Sequence, residues 1–371
     1  MRVLFINTTC GVGSHGKICV KLAREYEKEG YECKIAYGRD GVPGEASDLA
    51  VKIGGKTSFY AHVLATRIFD THGLHSKLAT QRFLKWADEY NPDILWMHNL
   101  HGYYLNIEML FKWIKSRPNM EVKWTLHDCW PFTGHCTNFG GCKCEKWKNG
   151  CHDCIQKKEY PNSYLFDNSK NNYEKKKACF SGVNNLTIYT PSKWLANIVK
   201  QGFLSDYNIE VMTNPVDKEV FTPRESNFRS KYGLEGKFVI LGVANAWQRS
   251  KGFYDFIELS KRLDKSYAIV MVGLTDEQKA ELPSEIIGLG KTANATELAQ
   301  IYTAADIFAN PSTEETFGMT AYEALLCGTT AVVYKGTACE EIANEFGGIV
   351  IDDNVEALYN KIVELRRKQD K

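Results

Sequence analysis

The residues best placed to do chemistry lie in one run of the C-terminal half, P-S-T-E-E-T-F-G-M-T-A-Y-E-A-L-L-C-G, from Pro311 to Gly328. Two carboxylates, Glu315 and Glu323, stand there with seven residues between them. The sequence predicts a loop through Glu315 and then a helix from Phe317, ended by Gly328, because glycine commonly closes a helix. Backbone N–H groups around Phe317, Gly318 and Met319 would point out of the helix start, which attracts anions and diphosphates above all. Gly318 would let a ligand approach the backbone closely, and Glu323 could accept hydrogen bonds from a pair of ribose hydroxyls. An acidic loop before an amphipathic helix, with Glu323 solvated, has the same spacing, so spacing leaves both readings open.

Three other clusters carry reactive groups. The loop V-A-N-A-W-Q-R-S-K-G-F holds Arg249 and Lys251, and fixed cations of this kind can meet the charge that develops on a leaving diphosphate. W-M-H-N-L-H-G and W-T-L-H-D-C-W set His98, Asn99, His101, His127 and Asp128 at the carboxyl ends of expected strands, where catalytic groups gather in parallel α/β folds. Asp128 could orient a histidine ring or bind an acceptor, and a strand-end histidine is often structural. Near the N-terminus, Gly11, Gly13 and Gly16 spell G-x-G-x-x-G, a dinucleotide fingerprint when taken alone. Its first glycine comes late after the strand, and the second strand ends in Tyr37-Gly38-Arg39 without the expected acid. An NAD(P)-binding oxidoreductase is therefore the weaker reading of this loop.

Short apolar runs alternate with helical patterns throughout, which predicts parallel sheets flanked by helices. Residues 1–214 are expected to form one Rossmann-like domain and residues 237–354 a second, with the polar stretch 215–236 as linker and 355–371 as a terminal helix. Each domain would offer the carboxyl ends of its strands to a common cleft. The 371 residues suffice for two cores, while 44% apolar and 25% charged content is that of a globular protein. A net charge of +1 gives no field that would favour nucleic acid. No stretch is apolar for the ~18 residues of a membrane span, and the opening M-R-V-L-F-I-N is too short for a signal peptide, so a cytoplasmic protein is expected.

The run E-T-F-G-M-T-A-Y-E-A-L-L-C-G resembles the nucleotide-sugar signature of the retaining GT-B glycosyltransferases of family four. The resemblance implies a two-domain GT-B fold, a terminal helix crossing back to the first domain, and transfer with retention from a nucleotide-diphosphate sugar. It carries a phosphate contact onto Lys251, a sugar contact onto His127 within T-L-H-D, and contacts to sugar hydroxyls onto Glu315. Gly13, Ser14 and Gly16, with His15 and Lys17 adjacent, correspond to the glycine loop bordering diphosphate and acceptor, and His98 and Asn99 to the acceptor pocket. Gly290 and Lys291 are expected to read the base. Ala246 stands where many members have arginine, a place Arg249 is expected to fill, and Thr330 where many have proline. No Asp-x-Asp occurs, which agrees with catalysis that needs no metal. A nucleotide-sugar epimerase shares the two-domain plan and is the other alternative.

Twelve cysteines are many for a reducing compartment, and five crowd into residues 136–154. Cys136, Cys144, Cys151 and Cys154 form a plausible structural zinc set, with Cys142 spare and His152 outside it. A subgroup of the family, resembling enzymes of bacterial surface-polysaccharide assembly, carries the same insert (129–160); their acceptor is a glycan or a lipid-linked glycan at the inner membrane face. The segment Lys56–Glu89 mixes aromatic, aliphatic and basic residues and would suit either a core helix pair or a place on such a membrane surface.

Overall fold

The computed structural model describes residues 1–369, which divide into two compact units, Met1–Thr213 and a second from Asn214 onward. The first holds a parallel seven-stranded sheet made of β1 (Arg2–Asn7), β2 (Glu32–Tyr37), β3 (Ala50–Lys52), β4 (Ile94–Met97), β5 (Glu121–Thr125), β6 (Leu186–Thr190) and β7 (Asn208–Val211). Their order is β3-β2-β1-β4-β5-β6-β7. Val3, Leu4, Phe5 and Ile6 are all fully buried, as a central strand covered on both faces demands. Val3 lies opposite Ile94 and Ile6 opposite Met97, so β1 and β4 end side by side.

The second unit holds β8 (Phe238–Val243), β9 (Tyr267–Val272), β10 (Ile286–Leu289), β11 (Ile307–Asn310), β12 (Thr330–Tyr334) and β13 (Ile349–Ile351). These are also parallel, in the order β10-β9-β8-β11-β12-β13. Each sheet changes direction once, between β1 and β4 and between β8 and β11. Loops diverge at such a switch point and leave a crevice beyond the strand ends.

Three elements differ from the sequence reading. The helix expected from Phe317 runs Met319–Leu326, because Gly318 sits at φ 91°, outside helical space, and caps it. The stretch 215–236 belongs to the second unit: Phe221 and Phe228 lie in its core, and Arg229 pairs with Asp306 at 2.7 Å. The terminal helix Val355–Gln369, expected to cross to the first domain, is part of the second unit, with Leu358 and Ile362 buried in its core. No helix among the described residues is long and apolar enough to cross a membrane.

Candidate functional site

In the second unit the switch point gathers the loops after β8 and β11. The first ends in a tight turn, Arg249–Lys251, followed by Gly252 at φ 77°. A Cβ on Gly252 would stand 2.3 Å from Pro311 Cγ, so only glycine lets the two loops close on each other. Hydrogen bonds join them: Thr313 N donates to Ser250 O at 2.9 Å and Ser312 Oγ to the same oxygen at 3.0 Å. Lys251 Nζ thereby reaches Glu315 Oε1 and Glu314 O, both at 2.7 Å. The sequence expected Lys251 on phosphate and Glu315 on sugar; in the protein alone they satisfy one another, partly buried.

Eight residues on from Glu315, Glu323 lies in the helix and accepts a hydrogen bond from Tyr302 Oη at 3.1 Å. Tyr302 comes from the helix Ala295–Ala304 and is fully buried. Burial pushes the Glu323 carboxyl up to about 7, and the Tyr302 hydroxyl offsets only part of this. The group is therefore poised to ionise when donors arrive, as two vicinal hydroxyls would be.

The other residues expected at the donor are placed as follows. Phe317 is 3% exposed and packs edge-on against Tyr322, so its side chain is core. A Cβ on Gly318 would meet Cys339 Sγ at 2.7 Å, so packing against Cys339 also requires glycine here. Arg249 lies over the Tyr254 ring at 5.9 Å and is not gathered with the Lys251–Glu315 pair. Gly290, with Lys291 exposed beside it, follows β10 two strands from the switch point, where its carbonyl accepts from Gly273 N at 3.2 Å.

In the first unit the switch point collects imidazoles. His98 Nδ1 and His127 Nε2 are 2.9 Å apart with their rings stacked, and His15 lies 5.9 Å from His127 between ring centroids. Asn7 Nδ2 binds Thr9 O at 2.7 Å and His15 Nδ1 at 3.2 Å, which fixes the first turn of the helix Gly13–Lys28. Burial pushes His15 down to about 4, His98 to about 3 and His127 well below the usual range. All three rings are therefore held neutral at physiological pH, each with one nitrogen to donate and one to accept.

Beside them Asp128 Oδ2 faces His101 Nε2 at 2.6 Å, while Asp128 Oδ1 accepts from Trp130 N at 2.9 Å. Burial works to raise the Asp128 carboxyl, but these partners hold it below the ordinary range. His101 Nδ1 meets Tyr160 Oη at 3.2 Å. The Asn99 backbone is tied on both sides: its N–H donates to Asn7 Oδ1 at 3.3 Å and its carbonyl accepts from Tyr104 Oη at 2.8 Å. The glycine loop closes on itself through Gly11 N to Gly16 O at 3.2 Å, and Gly16 is required because a Cβ would meet Thr9 Oγ1 at 2.6 Å. Gly13 and Ser14 are exposed at its lip.

Sequence reasoning named His101 only as a strand-end candidate without a role, and did not single out Asn7, Tyr160 or Tyr302. His101 was legible in W-M-H-N-L-H-G, three residues from His98; the tyrosines carry no local signal.

Among the described residues no three His, Cys, Asp or Glu side chains are gathered to hold one ion. Cys136 and Cys154 share a hydrogen bond instead, which lowers Cys154 to about 7. Cys151 accepts from Gly134 N at 3.1 Å, and burial pushes it up to about 11. Phe132, Phe139 and Trp147 of the insert are buried in the core of the first unit, with the last two rings stacked at 4.8 Å.

Comparison with known proteins places this geometry. Residues 224–371 match the family model of Glycosyl transferases group 1. A protein of Escherichia coli K12 named as a colanic acid biosynthesis glycosyl transferase, WcaC, is 26% identical over 43% of this chain and 41% of its own length. Sucrose-phosphate synthase from Thermosynechococcus elongatus superimposes with TM-score 0.69 over 99% of this chain and 90% of its own, at 14% identity. Anabaena HepE, solved with UDP and glucose, gives TM-score 0.64 over 100% and 91%, at 16% identity. These structures establish the fold as GT-B. The chain spans about half the length of the curated relatives it matches.

Proposed function

We propose that this chain, whose residues 224–371 match the family model of Glycosyl transferases group 1, moves a sugar from a nucleotide-diphosphate sugar to a hydroxyl of a glycan or lipid-linked glycan. The observation that carries the reading is the junction of Lys251, Glu315 and the Glu323 helix at the switch point of the second sheet. A donor diphosphate there would draw Lys251 Nζ away from Glu315. The freed Glu315 would take sugar hydroxyls, and Glu323, ionised on binding, would take the ribose hydroxyls. The N–H groups of Met319 and Thr320, without acceptors in the first helical turn, supply further positive character.

The imidazoles of the first unit would position the sugar and the acceptor, His127 on the sugar and the His101–Asp128 pair toward the acceptor hydroxyl. Transfer proceeds with retention and without a metal. The acceptor oxygen bonds to the anomeric carbon on the face the diphosphate leaves, the carbon–phosphate-oxygen bond breaks, and the acceptor proton passes to the departing phosphate. Since HepE holds UDP and glucose and WcaC is named for colanic acid, a UDP-sugar and a polysaccharide acceptor are the first substrates to try. Incubation with UDP-, GDP- and dTDP-sugars, following slow donor hydrolysis, tests the reading. Free sugar and nucleoside diphosphate are expected; an epimerised donor, or turnover only with a nicotinamide cofactor, would overturn it.

A further inference from the structure

Two neutral imidazoles that share a hydrogen bond must differ in where they carry their protons. His98 Nδ1 and His127 Nε2 lie 2.9 Å apart, and their ring planes differ by 17°. Each neutral ring has one N–H and one bare nitrogen, so a single hydrogen stands between the two. Either His98 carries it on Nδ1 and gives it to His127, or His127 carries it on Nε2 and gives it to His98. The choice sets which nitrogen of each ring bears the hydrogen, and with it what His127 offers to any other partner.

The far side of His98 decides between them. Its Nε2 is buried without a hydrogen-bond partner. The residue is 1% exposed, and its ring lies against Phe5 and Trp96, with centroids 6.3 and 6.0 Å away. An orphaned buried N–H is rarer in folded proteins than an under-used acceptor, because the stranded donor forfeits its hydration outright. His98 Nε2 is therefore bare, and the hydrogen of this ring is on Nδ1. Turning the ring over would set carbon against His127 Nε2 and forfeit the bond. The main chain is held as well: His98 N donates to Ile6 O at 2.8 Å, and Trp124 Nε1 donates to His98 O at 3.0 Å.

His127 Nε2 accordingly accepts, and the one hydrogen of its ring is on Nδ1. His15 is settled from its other neighbour and falls the opposite way. Asn7 Oδ1 accepts from Asn99 N at 3.3 Å and Asn7 Nδ2 donates to Thr9 O at 2.7 Å, which fixes the amide's orientation. Asn7 Nδ2 can then only donate to His15 Nδ1, at 3.2 Å, so His15 carries its hydrogen on Nε2.

We infer that His98 is a positioning residue acting through His127: it fixes the tautomer in which His127 bears its hydrogen on Nδ1 and meets a sugar hydroxyl as a hydrogen-bond donor. The sugar contact rests on the glycosyltransferase reading; the tautomer does not. With Nε2 occupied by His98, the His127 ring gives a hydrogen to an oxygen and takes none in return.

The test is long-range proton–nitrogen correlation NMR of the full chain carrying labelled histidine, at neutral pH and without donor or acceptor, with signals assigned from single histidine variants. His98 and His127 are expected in the Nδ1–H form and His15 in the Nε2–H form. His98→Phe, which takes the donor from His127 Nε2, should bring the Nε2–H form of His127 into view. His98→Asn, whose Nδ2 can stand where the imidazole Nδ1 does, should keep it in the Nδ1–H form. Hydrolysis of the UDP-sugar that the wild type turns over should fall about tenfold in His98→Phe and less than about threefold in His98→Asn. Wild-type His127 found in the Nε2–H form, or a His127 tautomer unchanged in His98→Phe, would overturn the inference, and the first of these needs no variant to fold. The predicted tautomers in a protein that hydrolyses no sugar nucleotide would sink the transferase reading and leave the tautomer assignment standing.

Discussion

Replacing Glu323 by Gln separates stability from donor affinity with opposite signs. The carboxyl is raised from 4.5 to about 7 by burial, so the folded chain holds this proton more tightly than the unfolded chain does. Folding is therefore unpenalised in acid below the unfolded value and loses stability as pH rises through the window up to about 7. At roughly 1.4 kcal/mol per pH unit, the ceiling on that loss is about 3 kcal/mol. Glutamine has the same shape, still offers an oxygen to Tyr302 Oη, and never ionises. Glu323→Gln should accordingly be more stable than the wild type at pH 8, by up to about 3 kcal/mol in urea titration, and indistinguishable near pH 4.5. Donor binding should move the other way. Losing hydrogen bonds to a charged acceptor costs about 1.5–3 kcal/mol, a ten- to hundredfold weaker Kd by calorimetry. A variant no more stable at pH 8, or one that binds nucleoside diphosphate as tightly as the wild type, would refute this reasoning.

Lys251→Ala should lower turnover roughly hundredfold, while Lys251→Ala/Glu315→Ala should melt close to Lys251→Ala alone, because the ion pair is already gone; a double-mutant cycle in urea reads the coupling. Gly318→Ala should destabilise by about 2 kcal/mol or more, from its φ of 91° and the Cys339 sulfur in its path, and adding Cys339→Ala should recover only the steric part. Iodoacetamide should label Cys154 ahead of Cys151 at neutral pH, with a rate that climbs through about pH 7; mass spectrometry of the peptides reads it.

The sheets were legible because a parallel strand buried on both faces is written as an unbroken apolar run, as in V-L-F-I of β1 and Y-A-I-V-M-V of β9. The strand ends then located the loops, and with them Lys251, Glu315, His98 and His127. What escaped depended on partners distant in sequence. Nothing local to Gly318 announces Cys339, twenty-one residues away, against its missing side chain. Phe317 looked like part of an open helix start until the fold closed over it. The polar stretch before β8 hid Phe221 and Phe228, two anchors among charged neighbours. Nor does the cysteine spacing announce the hydrogen bond between Cys136 and Cys154 or the Gly134 amide on Cys151.

The account stands on how the second unit holds a nucleotide, and a crystal soaked in UDP measures that directly. Pyrophosphate density at the start of the helix Met319–Leu326, the ribose on Glu323, and Lys251 Nζ moved from Glu315 to a phosphate oxygen are the predicted result. UDP bound at another place, with the Lys251–Glu315 pair still at 2.7 Å, would contradict it.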